Sequence, residues 1–207
     1  MPNPTVLVVD DDEPVRDSLQ ALLESAGYVV ATFASGRALL DGIGGHDAVC
    51  LVADIRMPEM DGMELQQEMV RREIALPVIF VTGHGDVALA VRAMKAGSFD
   101  FIEKPYDENT LLQSVERAIA ASRQRASVEA DRAAALKQLE SLTTREREVL
   151  DLLVAGRANK VVAHELDISP RTVEVHRSRV MEKLHARNLS DLVRIAIAAG
   201  TEKAAGK

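Results

Sequence analysis

The sequence predicts an α/β fold, a doubly wound five-stranded parallel sheet, followed by a smaller all-α domain of four helices. Three observations lead there. Short apolar runs alternate with amphipathic stretches five times between residues 5 and 122, and those runs are continuously apolar rather than alternating. Beyond residue 140 only helical patterns and their stop signals occur. Continuously apolar strands are buried on both faces, which requires helices on either side of a parallel sheet.

The strands are read at 6–9, 28–32, 48–53, 77–81 and 99–102, each followed by a helix, at 15–26, 36–43, 62–71, 87–96 and 108–122. Asp12 is placed to cap the first helix, with Pro14 in its first turn and Gly27 past its end. From 118 to 139 the chain is dominated by Ala, Arg, Glu, Gln and Ser without Pro or Gly, a composition that favours helix over coil. It reads as a helical linker prolonging the preceding helix. Leu136, Leu139 and Leu142 form either a short apolar seam or, being so few, part of a solvated spacer, the reading their scarcity favours.

Thr143 and Glu146 make a capping box ahead of a helix at 144–155 that Gly156 stops. Asn159 caps a second helix, Ser169 with Pro170 starts a third running to about 185, and Ser190 starts a fourth that Gly200 ends. The joint at Asp167 and Ile168 is short enough for a helix-turn-helix. The expected organisation is therefore 1–121 for the first domain, 122–140 for the linker and 141–207 for the second domain.

Composition bounds the function. The chain has 207 residues, 47% hydrophobic and 28% charged, which suits two small globular domains. No apolar run approaches the ~20 residues of a spanning helix. A cytoplasmic protein with no membrane partner is expected. The single cysteine, Cys50, lies in an apolar run and reads as a core residue. The net charge of −7 hides an asymmetry: residues 1–121 carry 9 basic against 20 acidic side chains, and residues 141–207 carry 12 against 9. Only the local field matters for phosphate binding, so the last third remains open to nucleic acid.

In an open parallel sheet, ligands collect beyond the carboxyl ends of the strands. Those ends deliver Asp10 and Asp11 from the first strand, Asp54 from the third, Thr82 from the fourth, and Lys104 with Pro105 after the fifth. Three carboxylates meeting at one rim repel, so a divalent cation or a proton must relieve them. Magnesium fits best, being a hard ion content with one or two carboxylates, a carbonyl, water and a phosphoryl oxygen. One carboxylate can then act as nucleophile and keep a phosphoryl group as an acyl phosphate, with Lys104 and Thr82 donating to the phosphoryl oxygens. Asp10 with Asp12 also satisfies the Asp-x-Asp of magnesium-dependent phosphatases, an alternative whose remaining pattern is not evident.

On the third helix of the second domain, Val173, Val180 and Leu184 share one face, and Arg171, Glu174, Val175 and Ser178 occupy the other. Arg177, Arg179, Lys183 and Arg187 add charge at the edges, and Lys160 sits near the start of the preceding helix. Polar residues at the N-terminal end of such a helix are placed to touch bases. A helix pair that docks a protein instead of DNA is the alternative.

Residues 4–122, through Asp10, Asp11, Asp54, Thr82, Lys104 and Pro105, resemble the response-regulator receivers, whose fold is flavodoxin-like. The resemblance implies that Asp54 is the phosphoacceptor and that Asp10, Asp11, Asp54 and the backbone carbonyl of Arg56 hold Mg2+. It further implies a cis bond between Lys104 and Pro105, and a switch coupling Thr82 to Phe101, which lacks a hydroxyl and so responds by burial alone. His84 reads as a loop or interaction residue. The stretch 142–192, with LTTREREVL and GRANKVVAHELDISPRTVEVHRSRVMEKL, looks like the LuxR-type helix-turn-helix. By that pattern Lys160, Arg171, Thr172 and Lys183 meet phosphates while Glu174, Val175 and Ser178 face the major groove. The pairing is similar to the FixJ branch. This implies a transcription regulator, an activator in preference to a repressor, whose partners are a sensor histidine kinase, double-stranded DNA, the transcription machinery and, once phosphorylated, a second copy. Such a protein is not a turnover enzyme, beyond slow hydrolysis of its own acyl phosphate.

Overall fold

The computed structural model describes residues 3–83 and 87–200, so that His84 lies outside the described residues. The chain divides into two compact units, Met1–Gln124 and Arg125–Lys207.

The first unit runs β1 (Thr5–Val9), α1 (Glu13–Ser25), β2 (Val29–Phe33), α2 (Gly36–Gly42), β3 (Ala48–Ala53), α3 (Gly62–Arg71), β4 (Val78–Thr82), α4 (Val87–Lys95), β5 (Asp100–Glu103) and the start of α5 (Glu108–Glu140). Neighbouring strands all pair parallel, in the order β2-β1-β3-β4-β5. Successive residues of a strand face opposite sides. Val6 and Val8 therefore pack with Leu19, Leu23, Leu111 and Val115 of α1 and α5, while Leu7 and Val9 pack with residues of α2, α3 and α4. β4, four of the five residues of β1 and the last four of β3 are buried, as continuous apolar runs imply. The edge strands differ: Val29 on β2 is 49% exposed, because an edge strand lies at the margin of the helical layers. Cys50 is wholly buried and its thiol is pushed up to about 12, in keeping with an inert core residue.

Strand order reverses between β1 and β3, and their register, Val9 opposite Ala53, brings the next residues, Asp10 and Asp54, to one rim. The cap of α1 departs from expectation. Asp12 occupies the N-cap position, but its side chain makes no capping bond, and its own N–H donates to Asp10 Oδ1 at 2.9 Å.

The second unit holds the remainder of α5, then α6 (Thr144–Val154), α7 (Asn159–Glu165), α8 (Pro170–Lys183) and α9 (Leu189–Ala198). α5 is one unbroken helix, and its last turns are not a solvated spacer: Ala135 and Leu139 are buried among Leu150, Val180, Leu184 and Leu192, with Leu142 packed alongside. Leu136 points away, 43% exposed. The Thr143–Glu146 capping box is present in both bonds, and Ser169 accepts from the Thr172 N–H at 3.1 Å. Two caps lie elsewhere than expected. Ala158 is the N-cap of α7 and makes no side-chain bond, and Asn188, not Ser190, caps α9 by accepting from the Asp191 N–H. Asp167 and His185, flanking α8, both take positive φ, 52°.

Candidate functional site

The rim at the ends of β1 and β3 is built around one ammonium group. Asp10 and Asp54 are 3% and 9% exposed, and Lys104 Nζ lies 3.1 Å from Asp10 Oδ2 and 3.6 Å from Asp54 Oδ1. Backbone groups fix the two carboxylates: the Asp12 N–H donates to Asp10 Oδ1, and the Arg56 N–H donates to Asp54 Oδ2 at 2.7 Å. The Asp54 N–H in turn donates to the Val9 carbonyl at 2.8 Å. Burial pushes the Asp54 carboxyl above its ordinary range, Lys104 opposes this, and the Asp10 charge adds to the rise.

Lys104 is delivered by its own backbone, whose N–H bonds the Thr82 carbonyl at 2.8 Å, and the Lys104–Pro105 bond is cis. Thr82 is fully buried at the end of β4. Phe101, half-buried, pairs in register with Phe80 and packs on the α2–α4 side of the sheet. Asp11 is exposed and, with Arg56, lines a crevice whose floor includes Ile55 and Met57.

Two contributors to this rim escaped the sequence reading. Arg16 on α1 donates to the Asp10 backbone carbonyl at 2.7 Å, a contact with main chain that leaves no residue-pair signature. Gly62 opens α3 against the acceptor strand, where a Cβ would stand 2.5 Å from the Asp54 carbonyl oxygen and 2.9 Å from the Phe80 ring. The Asp-Gly pair at a helix start was the one clue.

Among the described residues no three His, Cys, Asp or Glu side chains are gathered as a ready-made metal cluster. The donor chemistry nevertheless fits a hard cation that needs only one or two carboxylates: two buried carboxylates share a single ammonium, with Asp11 open beside them.

In the second unit, Val173 and Val180 are fully buried and Leu184 nearly so, which turns Arg171, Glu174, Val175 and Ser178 outward. Lys160 is likewise exposed on α7, and among the described residues neither it nor Arg171 is held in an ion pair. Thr172 is half-buried, its hydroxyl 2.8 Å from that of Ser169. Lys183 is placed differently. Its ammonium bonds Glu146 Oε2 at 2.7 Å and the Ser141 carbonyl at 3.1 Å, a commitment within the unit that the sequence did not disclose.

The first unit thus carries a rim of buried acids around a lysine on a doubly wound sheet, and the second a helix-turn-helix whose polar face is exposed. Residues 6–116 match the response regulator receiver domain, and residues 140–196 match the bacterial regulatory proteins of the luxR family. The transcriptional regulatory protein FixJ of Bradyrhizobium diazoefficiens is 46% identical over 195 residues, 94% of this chain and 95% of that protein. FixJ of Rhizobium meliloti is 47% identical over 199 residues, 95% of this chain and 96% of that one. Among solved structures, the response regulator StyR superposes with a TM-score of 0.80 at 41% identity, covering 94% of this chain and 98% of that one. Full-length FixJ from B. japonicum gives 0.61 at 45% identity, covering 97% and 99%.

The chain belongs to the response regulators, as a FixJ-like transcriptional regulator of a two-component system with a receiver and a LuxR-type DNA-binding domain. It is a regulator rather than a turnover enzyme. A receiver implies a sensor kinase as partner, receivers generally bind Mg2+ where they are phosphorylated, and a LuxR-type domain implies DNA binding. No helix among the described residues is long and apolar enough to cross a membrane.

Proposed function

We propose that Asp54 is the residue phosphorylated. An Asp54 carboxylate oxygen attacks phosphorus on the phosphohistidine of a sensor histidine kinase, forming a P–O bond as the P–N bond breaks and the imidazole leaves with the electron pair. Lys104 and Thr82 donate to the phosphoryl oxygens as charge builds on them. Asp10, Asp11, Asp54 and the Arg56 carbonyl would hold Mg2+, which neutralises charge on the phosphoryl oxygens when bound. The observation that carries this reading is Lys104 Nζ standing between Asp10 and Asp54, a cation already aimed at the rim where a phosphoryl group must sit.

Downstream, Thr82 and Phe101 respond to the acyl phosphate and receivers of two copies pair. Paired second domains then occupy two half-sites, the arrangement a two-fold dimer imposes on DNA. Lys160, Arg171 and Thr172 face phosphates, and Glu174, Val175 and Ser178 face base edges: Glu174 suits a cytosine amino group and Val175 a thymine methyl. The output is activation through contact with the transcription machinery, in the cytoplasm, with the receiver ending near 121, a helical connection over 122–140 and the DNA-binding domain from 141. Hydrolysis of its own acyl phosphate is the only turnover, and it is slow.

The test is labelling with an isotopic acyl-phosphate donor and Mg2+, paired with DNA-binding measurements on the same samples. Wild-type protein should take up label and bind its DNA more tightly. Asp54→Asn should do neither; full labelling of that variant would refute the assignment.

A further inference from the structure

Arg145 and Glu146 are adjacent in the first turn of α6, yet they hold opposite ends of the segment that presents α8. Arg145 Nη2 donates to the carbonyl of Leu166, the C-cap of α7, and its Nη1 donates to Glu148 Oε2 at 2.7 Å. Glu146 is 2% exposed and accepts from Nζ of Lys183, the last residue of α8. Between the two grips lie Asp167, in the left-handed region, and the whole of α8.

The chemistry of each grip is specific. The Leu166 carbonyl belongs to a helix end, where carbonyls lack intrahelical partners, and a guanidinium anchored on Glu148 satisfies it. The Asp167 turn that follows sets the direction in which α8 departs, and tethering Leu166 fixes where that turn begins. At the far end, two of the three donors of the Lys183 ammonium are used, on Glu146 and on the Ser141 carbonyl. Glu146 itself is immobilised, because the same carboxylate closes the capping box with the Thr143 N–H at 2.9 Å. Lys160 and Arg171, by contrast, are exposed and in no ion pair among the described residues.

We propose that Arg145 and Glu146 are positioning residues for sequence recognition: by gripping Leu166 and Lys183 they set the pose in which α8 meets the groove, and Lys183 serves that grip instead of a DNA phosphate. The inference rests on α8 being the helix that reads DNA. A base-reading helix must hold its geometry to within about 0.5 Å, whereas phosphate attraction tolerates more, so loosening the grips costs discrimination before it costs affinity for arbitrary DNA.

The experiment uses the full-length protein with an acyl-phosphate donor and Mg2+. Wild-type protein first selects a duplex from a random-sequence pool. Affinities for that duplex and for a scrambled one of equal length are then measured across a salt series for wild type, Arg145→Ala, Arg145→Lys and Lys183→Met, with helicity followed by circular dichroism. Arg145→Ala and Lys183→Met should each cut the ratio of selected to scrambled affinity roughly tenfold, with scrambled-duplex affinity and salt slope unchanged. Arg145→Lys should keep most of the ratio, since an ammonium can still donate to the Leu166 carbonyl. A salt slope lower by about one in Lys183→Met with the ratio intact would make Lys183 a phosphate contact and overturn the proposal. Equal loss on both duplexes, with helicity lost, would overturn it by making the grips mere fold stabilisers. If wild type enriches no sequence, the reading of α8 itself fails, and the proposal with it.

Discussion

Lys183 Nζ lies 2.7 Å from Glu146 Oε2, thirty-seven residues away in sequence, and the Glu146 carboxylate is almost wholly buried. The Lys183 bond, reinforced by the Thr143 N–H, holds the Glu146 carboxyl down to about 2, against 4.5 for an ordinary glutamate. A depressed carboxyl contributes stability that is present above its unfolded pKa and is lost as pH falls through the folded one. The window here is therefore about pH 4.5 down to 2.

The second unit should accordingly lose stability across that window, by about 2 kcal/mol once the one-third exposure of Lys183 is discounted. Both tyrosines, Tyr28 and Tyr106, lie in the first unit, so tyrosine fluorescence follows that unit while far-ultraviolet circular dichroism sees all the helices. Denaturant titrations read both ways at successive pH values should show the non-tyrosine transition moving in this range. In Glu146→Gln that movement should flatten, because the amide cannot titrate. An identical pH dependence in wild type and variant would contradict the account.

Gly62 provides a steric prediction. A methyl group there would meet the Asp54 carbonyl oxygen at 2.5 Å and the Ile55 Cα at 3.0 Å, both main chain and unable to swing aside. Gly62→Ala should destabilise the first unit by about 1–3 kcal/mol, the usual cost of overpacking, and slow uptake of the phosphoryl group by displacing the acceptor strand. Urea titration by tyrosine fluorescence measures the first effect and label uptake the second. Wild-type values for both would show that α3 can shift freely.

How much of this was legible beforehand depends on whether an interaction is local. The runs at β1, β3 and β4 point to a doubly covered sheet because burial on both faces leaves them apolar apart from the terminal Thr5 and Thr82. The Thr143–Glu146 box could be read because its partners are three residues apart. Asp12 shows the limit of such reading: the residue type suits a cap, but the Asp12 N–H turns to Asp10 Oδ1 and its side chain bonds no helix N–H. Arg16 and Asp10 meet through a backbone oxygen, and Lys183 finds Glu146 thirty-seven residues away, so neither contact follows from residue type or spacing. The acidic rim is legible as a set because each of its residues follows the end of an apolar run; the way Lys104 bridges Asp10 and Asp54 is not.

Arg171 is exposed on α8 and outside any ion pair among the described residues, so its charge is free to meet a phosphate. Arg171→Ala should weaken binding to selected and scrambled duplexes alike and lower the salt slope by about one. Fluorescence anisotropy across a salt series measures both. An unchanged slope would remove Arg171 from the phosphate contacts, whereas Val175→Ala should alter sequence preference with the slope intact.

The central claim, that Asp54 carries the phosphoryl group, is tested most directly by chemical mapping. Borohydride reduction of an aspartyl phosphate converts that residue to homoserine, and peptide sequencing by mass spectrometry then gives its position. After treatment with an acyl-phosphate donor and Mg2+, homoserine should appear at position 54 and at none of positions 10, 11 or 12. Homoserine at any of those three, with Asp54 intact, would contradict the account.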